Sequence, residues 1–202
     1  MENRKSHWEN IYSTKKANEV SWTQEVPETS LEFIRGFNCP KEATIIDIGG
    51  GDSKLVDNLL EEGYKNITVL DISEKSIECA KKRLGEKSKN VTWIISDIND
   101  FNPKEKYTIW HDRAAFHFLT TPEEIENYIG KARQAAGNYL VIGTFSETGP
   151  KKCSGIEIKQ YSGEQLENQL AKGFNKIKCI NEDHVTPFNT KQNFTFCSFK
   201  RS

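Results

Sequence analysis

The chain has 202 residues, 36% of them hydrophobic, and its 28 lysines and arginines against 29 acids give a net charge of -1. That length suits one α/β domain with a substantial core. The balanced charge argues against nucleic acid as a partner and against a basic amphipathic membrane surface, and the longest apolar runs, such as "YLVIGTF", are strand-sized and argue against a membrane span.

Before the first apolar strand, "HWENIYSTKKANEVSW" places Trp8, Ile11 and Tyr12 on one helical face, with His7 and Trp22 nearby. "PETSLEFIRGF" has helical spacing at Leu31, Phe33, Ile34 and Phe37, with Pro27 near its start. "ATIIDIG" reads as a strand, "SKLVDNLLEEG" as a helix stopped at Gly63, "NITVLDIS" as a second strand and "EKSIECAKKRLG" as a helix ending at Gly85. "VTWIISD" and "YTIWHD" are the third and fourth strands, and "TPEEIENYIGKARQAAG" is a helix opened by Thr121 and Pro122. "YLVIGTF" is the fifth strand. A looser stretch to Tyr161 precedes the helix "SGEQLENQLAKG", and two strands joined by a short turn end the chain. The alternation predicts a mostly parallel sheet with helices on both faces and a C-terminal antiparallel hairpin. No linker or repeat divides 1–202, so one domain is expected.

Five cysteines, Cys39, Cys79, Cys153, Cys179 and Cys197, are scattered singly. No CxxC or CxxH pair supports a metal site, and the odd number at wide spacing reads as free thiols in a reducing compartment. The charged start "MENRKSHWEN" carries no secretory h-region. A cytoplasmic protein is expected, with a monomer as the favoured state.

The stretch "DIGGGDS" sits at the first strand-to-helix turn, where open parallel sheets bind ligands. Glycines there remove Cβ atoms, so the backbone can approach a ligand closely. The dinucleotide fingerprint GxGxxG fails, because its third glycine, counted from Gly49, falls on Lys54; no G-K-[ST] follows for a phosphate loop. Acids supply another pattern. Asp47 lies in the first strand, Asp71 ends the second and Asp97 ends the third. A carboxylate at Asp71 can accept two ribose hydroxyls, Asp97 an adenine amino group, and Asp47 a ligand amino group.

"IIDIGGGDS", "ITVLDIS" and "WIISDI" resemble motifs I, II and III of class I S-adenosylmethionine-dependent methyltransferases. The resemblance runs from about Ala43 through the terminal hairpin, with Ser53 standing where many members carry glycine or alanine. It implies a Rossmann-like three-layer sandwich with a seven-stranded sheet, a core over 41–202 and an N-terminal lid over 1–40. It also implies S-adenosyl-L-methionine as cofactor, S-adenosyl-L-homocysteine as product, and cofactor contacts from Asp47, Gly49, Gly50, Gly51, Asp71, Ile72, Asp97 and Ile98.

The acceptor side should follow the fourth strand, in "YTIWHDRAAFHFLTTP". His111 or His117 could serve as base and Asp112 as orienting carboxylate, with Arg113, Phe116 and Phe118 lining the pocket. An Asp112–Arg113 ion pair is the structural alternative. Lid contacts would come from His7, Trp8, Tyr12 and Trp22. "HWENIY", "DRAAFHFL" and "YSGEQLENQLAKGFNKIK" are similar to small stand-alone bacterial methyltransferases, and to lysine methyltransferases of elongation factors and citrate synthase. Alanines at 114 and 115 depart from the glycine that often follows the basic residue there. The expected acceptor is a small molecule or a protein lysine. The competing readings are an NAD-dependent oxidoreductase and a non-catalytic nucleoside-binding domain.

Overall fold

The computed structural model describes residues 4–202. Helix α1 (Arg4–Thr14) and helix α2 (Glu28–Gly36) precede strand β1 (Thr44–Ile48). Then come α3 (Leu55–Glu61), β2 (Asn66–Asp71), α4 (Glu74–Leu84), β3 (Val91–Ile95), β4 (Tyr107–Arg113), α5 (Pro122–Ala135) and β5 (Ala136–Phe145). Two short strands, β6 (Lys152–Cys153) and β7 (Ile156–Glu157), form a separate small hairpin. Helix α6 (Gly163–Leu170), β8 (Phe174–Val185) and β9 (Lys191–Arg201) close the chain.

The main sheet has seven strands in the order β3-β2-β1-β4-β5-β9-β8. Strands β1 to β5 run parallel, and β9 pairs antiparallel with β5 and with β8. This is the expected Rossmann-like sandwich with its terminal hairpin, and the order reverses between β1 and β4. The helix starts follow local chemistry: Thr121 caps α5 and Glu124 reaches back in a capping box, and Ser162 and Gln165 do the same for α6.

The period-2 alternation of the strands sorts side chains between two cores. On one face, Trp110, Leu140 and Ile142 pack with Tyr128 and Ile129 of α5 and Leu166 and Leu170 of α6. On the other, Ile45, Val69 and Ile109 pack against Leu31 and Ile34 of α2 and Leu55, Val56 and Leu59 of α3. A third cluster, with Phe118, Phe145, Cys153, Phe194 and Phe196, lies toward the carboxyl ends of the central strands.

One expectation is overturned here. Cys179 and Cys197 face each other across β8 and β9, with Cα atoms 4.1 Å apart, and are joined as a disulfide. Only Cys39, Cys79 and Cys153 are free thiols. Hairpin register sets this pairing and spacing in sequence does not reveal it, so the cysteines no longer support a reducing compartment. Among the described residues no helix is long and apolar enough to cross a membrane, and no cluster of His, Cys, Asp and Glu could hold a metal ion.

Candidate active site

The turn after β1 is held against β2: the N–H groups of Gly49 and Gly50 both donate to Leu70 O, at 2.8 and 3.2 Å. Its glycines answer to close neighbours within the protein. A Cβ at Gly49, where φ is +67°, would sit 2.6 Å from Ala115 Cβ. At Gly50 it would meet Asp47 Oδ2 at 2.5 Å, and at Gly51 (φ +38°) it would meet Asp71 Oδ2 at 2.6 Å. Bare backbone thus lies directly on two carboxylates. Gly49 and Gly50 line a cavity of about 760 Å³ beyond the strand ends, whereas Gly51 is packed behind Asp71 and does not line it.

Asp71, Ile72, Asp97 and Ile98 line one end of this cavity. Asp71 is 6% exposed, and its Oδ1 accepts from the Ser73 N–H at 2.8 Å. Burial raises its pKa to about 6, against the opposing pull of the Ser73 and Ser76 bonds. Asp97 accepts from the Asn99 N–H at 2.8 Å and receives Arg4 Nη1 at 3.5 Å.

Helix α1 covers this end. Arg4 reaches Glu124 at 2.6 Å as well as Asp97. Glu9 accepts from the backbone N–H of Glu74 at 2.7 Å and of Lys75 at 3.2 Å, and from the Ser73 hydroxyl at 3.2 Å. A carboxylate from one helix thereby caps the N-terminus of another, where it meets the positive end of the helix dipole. Trp8 and Tyr12 line the cavity together with Trp22, and Trp8 sits edge-on to Trp22 (5.7 Å) and Phe118 (5.1 Å). His7 packs edge-on to Trp8 and is not a cavity residue. Sequence reasoning missed Arg4 and Glu9, because their partners lie far along the chain. Asp52 lines the cavity just before α3 and pairs with Arg83, which also holds Asp57.

Strand β4 divides its polar residues between the two faces. His111 and Arg113 point to the cavity. His111 Nδ1 lies 2.7 Å from Asp47 Oδ1 and its Nε2 lies 2.9 Å from Ser30 Oγ. All three residues are buried, at 3% exposure or less. Asp47 thus engages His111 through Oδ1 while also lining the cavity, and Ser30 had no sequence signal.

Asp112 points the other way and is fully buried. Its Oδ1 accepts from the N–H groups of Ala115 and Phe116, both at 3.0 Å, and its Oδ2 accepts from Tyr128 Oη at 2.8 Å. It neither lines the cavity nor pairs with Arg113, so both sequence readings of this residue are corrected. His117 is also corrected: it is 0% exposed, its Nδ1 accepts from the Phe145 N–H at 3.3 Å, and its ring stacks on Phe145. Burial pushes its pKa down to about 3, and the Arg113 charge adds to this, so it has little basicity. Phe116 is core, packed on Tyr128 and Tyr161, so of the two phenylalanines only Phe118 lines the cavity. Ala114 adopts φ +67°, a conformation that a glycine would take without strain.

Residues 45–137 match the model of a family described as "Methyltransferase domain". Among curated proteins, a malonyl-[acyl-carrier protein] O-methyltransferase of Anoxybacillus flavithermus is 34% identical over 52% of this chain and 39% of its own length. An EEF1A lysine methyltransferase 2 of Danio rerio is 23% identical over 86% of this chain and 76% of its own. The chain covers 39% and 41% of two of the acyl-carrier relatives it matches. Among solved structures, the N-methyltransferase NodS of Bradyrhizobium japonicum, in complex with S-adenosylhomocysteine, superposes with a TM-score of 0.74 at 13% identity, covering 98% of this chain and 99% of that one. The fold is thus that of the class I methyltransferases. Over residues 45–137, a little under half of its length, the chain is similar to a methyltransferase domain.

Proposed function

We propose that the protein transfers a methyl group from S-adenosylmethionine to a small-molecule or protein acceptor. The observation that carries this reading is Asp71: a buried carboxylate at the end of β2, facing a 760 Å³ cavity beside a bare glycine turn. Such a volume suits a nucleoside with a short tail and room for an acceptor. Asp71 would accept the ribose hydroxyls, Ile72 and Ile98 would sandwich the base, and Asp97 would take its amino group. When bound, the cofactor supplies a methyl group already activated on a sulfonium. The chain's own task is to hold acceptor and methyl in line and keep water out, which the walls of Trp8, Trp22 and Phe118 serve.

The NAD reading fares worse. Its pyrophosphate would sit at the start of α3, where Asp52 lines the cavity. S-adenosylhomocysteine should raise the melting temperature in proportion to its saturation, because it binds the native state, and NAD should not. A shift with NAD and none with S-adenosylhomocysteine would reverse the assignment.

The cover formed by α1 has its own test. Glu9→Ala removes the acceptor for three donors at the start of α4. A lost cap costs about 1 kcal/mol, so S-adenosylhomocysteine should dissociate about fivefold faster in stopped-flow displacement. Unchanged dissociation would show that α1 does not control access.

A further inference from the structure

Every partly buried cation lining the cavity, apart from one, is matched by a carboxylate. Arg4 pairs with Asp97 and Glu124, Lys54 with Glu25, and Arg83 with Asp52 and Asp57. Arg113, the last residue of β4, is the exception. Its Nη1 donates to Trp22 O at 3.0 Å, its Nη2 is buried with no hydrogen-bond partner, and its guanidinium lies 5.0 Å from the centre of the Phe194 ring. Among the described residues no carboxylate lies within ion-pairing distance of it; the charges of Glu182 and Asp47 act on it only from farther away. Burial pulls its pKa down to about 10, against the opposing pull of the Glu182 and Asp47 charges.

Among the described residues, neither His111 nor His117 is free to act as a base at this end of the cavity. His111 is bonded through both nitrogens, His117 is sealed beneath Phe145, and Asp112 faces the opposite core. Burial pushes the Cys153 thiol up to about 11 and the Tyr12 phenol well above its ordinary value. An acceptor bound here must arrive already deprotonated. A carboxylate does so at neutral pH; a lysine ammonium, with an ordinary pKa of about 10.4, does not, and Arg113 would repel it.

We propose that Arg113 binds the carboxylate of the methyl acceptor, and that the acceptor is a carboxylic acid with an apolar or aromatic body, methylated on that carboxyl group. This rests on the methyltransferase reading and names its substrate class. One carboxylate oxygen would accept from the guanidinium. The other would attack the sulfonium methyl: a C–O bond forms, the C–S bond breaks, and its electron pair remains on sulfur. The products are a methyl ester and a neutral thioether, and no proton moves. Trp22, Phe118, Phe145 and Phe194 would enclose the acid's body.

The position of Arg113 separates it from the nucleoside end. Strand β1 lies between β4 and β2, so Arg113 is two strand spacings, about 10 Å, from the Asp71 position. The test uses full-length protein saturated with S-adenosylhomocysteine and titrated calorimetrically with benzoate and hexanoate, with methyl benzoate and hexylamine as controls. The acids should bind and the ester and amine should not. Arg113→Met should weaken acid binding at least about tenfold, the loss of one charge-assisted contact, and leave S-adenosylhomocysteine affinity within about threefold. Arg113→Lys, which keeps the charge in a conservative replacement, should retain part of the acid binding and stands in if the methionine variant does not fold. Parent protein that binds S-adenosylhomocysteine but none of the acids, or prefers hexylamine, would overturn the inference while leaving the methyltransferase reading intact. Equal loss of acid and S-adenosylhomocysteine binding in Arg113→Met would assign the guanidinium to the cofactor's own carboxylate and overturn it too. Parent protein that ignores S-adenosylhomocysteine would defeat the underlying reading instead.

Discussion

Asp112→Ala is expected to lower the melting temperature by about 8–16 °C, because it orphans buried donors worth about 4 kcal/mol together, and a domain of this size loses about 2–4 °C per kcal/mol. The donors are the Tyr128 hydroxyl and the N–H groups of Ala115 and Phe116. Asp112→Asn should destabilise as well. Tyr128 Oη already accepts from Trp110 Nε1 at 3.0 Å, so its own proton must go to residue 112, where an amide NH₂ would oppose it. The folded fraction of either variant should bind S-adenosylhomocysteine within a few-fold of the parent. A pH series adds an independent readout. Burial raises the Asp112 pKa from 3.8 to about 6, so the folded state prefers the protonated acid. Its contribution to stability therefore declines as pH rises from about 4 to about 6, and Asp112→Ala should remove that share of the slope. A variant with parental stability and lost turnover would return Asp112 to the reaction.

The second large effect is on cofactor affinity. Asp71→Ala should weaken S-adenosylhomocysteine binding by about tenfold to a hundredfold, since charge-assisted hydrogen bonds are worth about 1.5–3 kcal/mol each. The fold should survive, because the change also removes a carboxylate that is costly to bury. Here too the sign of the pH dependence is fixed. With a folded pKa of about 6, Asp71 is about one-tenth ionised at pH 5, and a diol that donates to the ionised form should bind about tenfold more weakly there than at pH 7. In Asp71→Asn that pH dependence should vanish. Affinity that is flat with pH in the parent, or unchanged in Asp71→Ala calorimetry, would reduce this acid to a turn residue.

The strands and helices that carry the site could be read from the chain because their signals are local. "ATIIDIGGG" ends a buried strand in glycines, and Thr121, Pro122 and Glu124 start a helix by chemistry confined to a few residues. The roles along β4 were also within reach. Neighbours in a strand face opposite ways, so His111 and Arg113 could never share a face with Asp112. What that rule could not supply is which face meets the cavity, since that depends on where α2 and α5 settle. Contacts between distant segments were not legible: Glu9 with the start of α4, Arg4 with Asp97, Ser30 with His111, and Cys179 with Cys197 through hairpin register. The glycine turn was found for a reason that proved incomplete. Ligand approach was expected to demand it, whereas the carboxylates of Asp47 and Asp71 lie against it from within.

The fastening of α1 bears on access to the cavity. It is held by charge, at Arg4 and Glu9, over the end lined by Asp71 and Asp97. On the proposed reading, spent cofactor held there would have to wait for these polar contacts to part. Dissolved salt, which screens partly exposed charges over about 8 Å at physiological strength, would quicken its release.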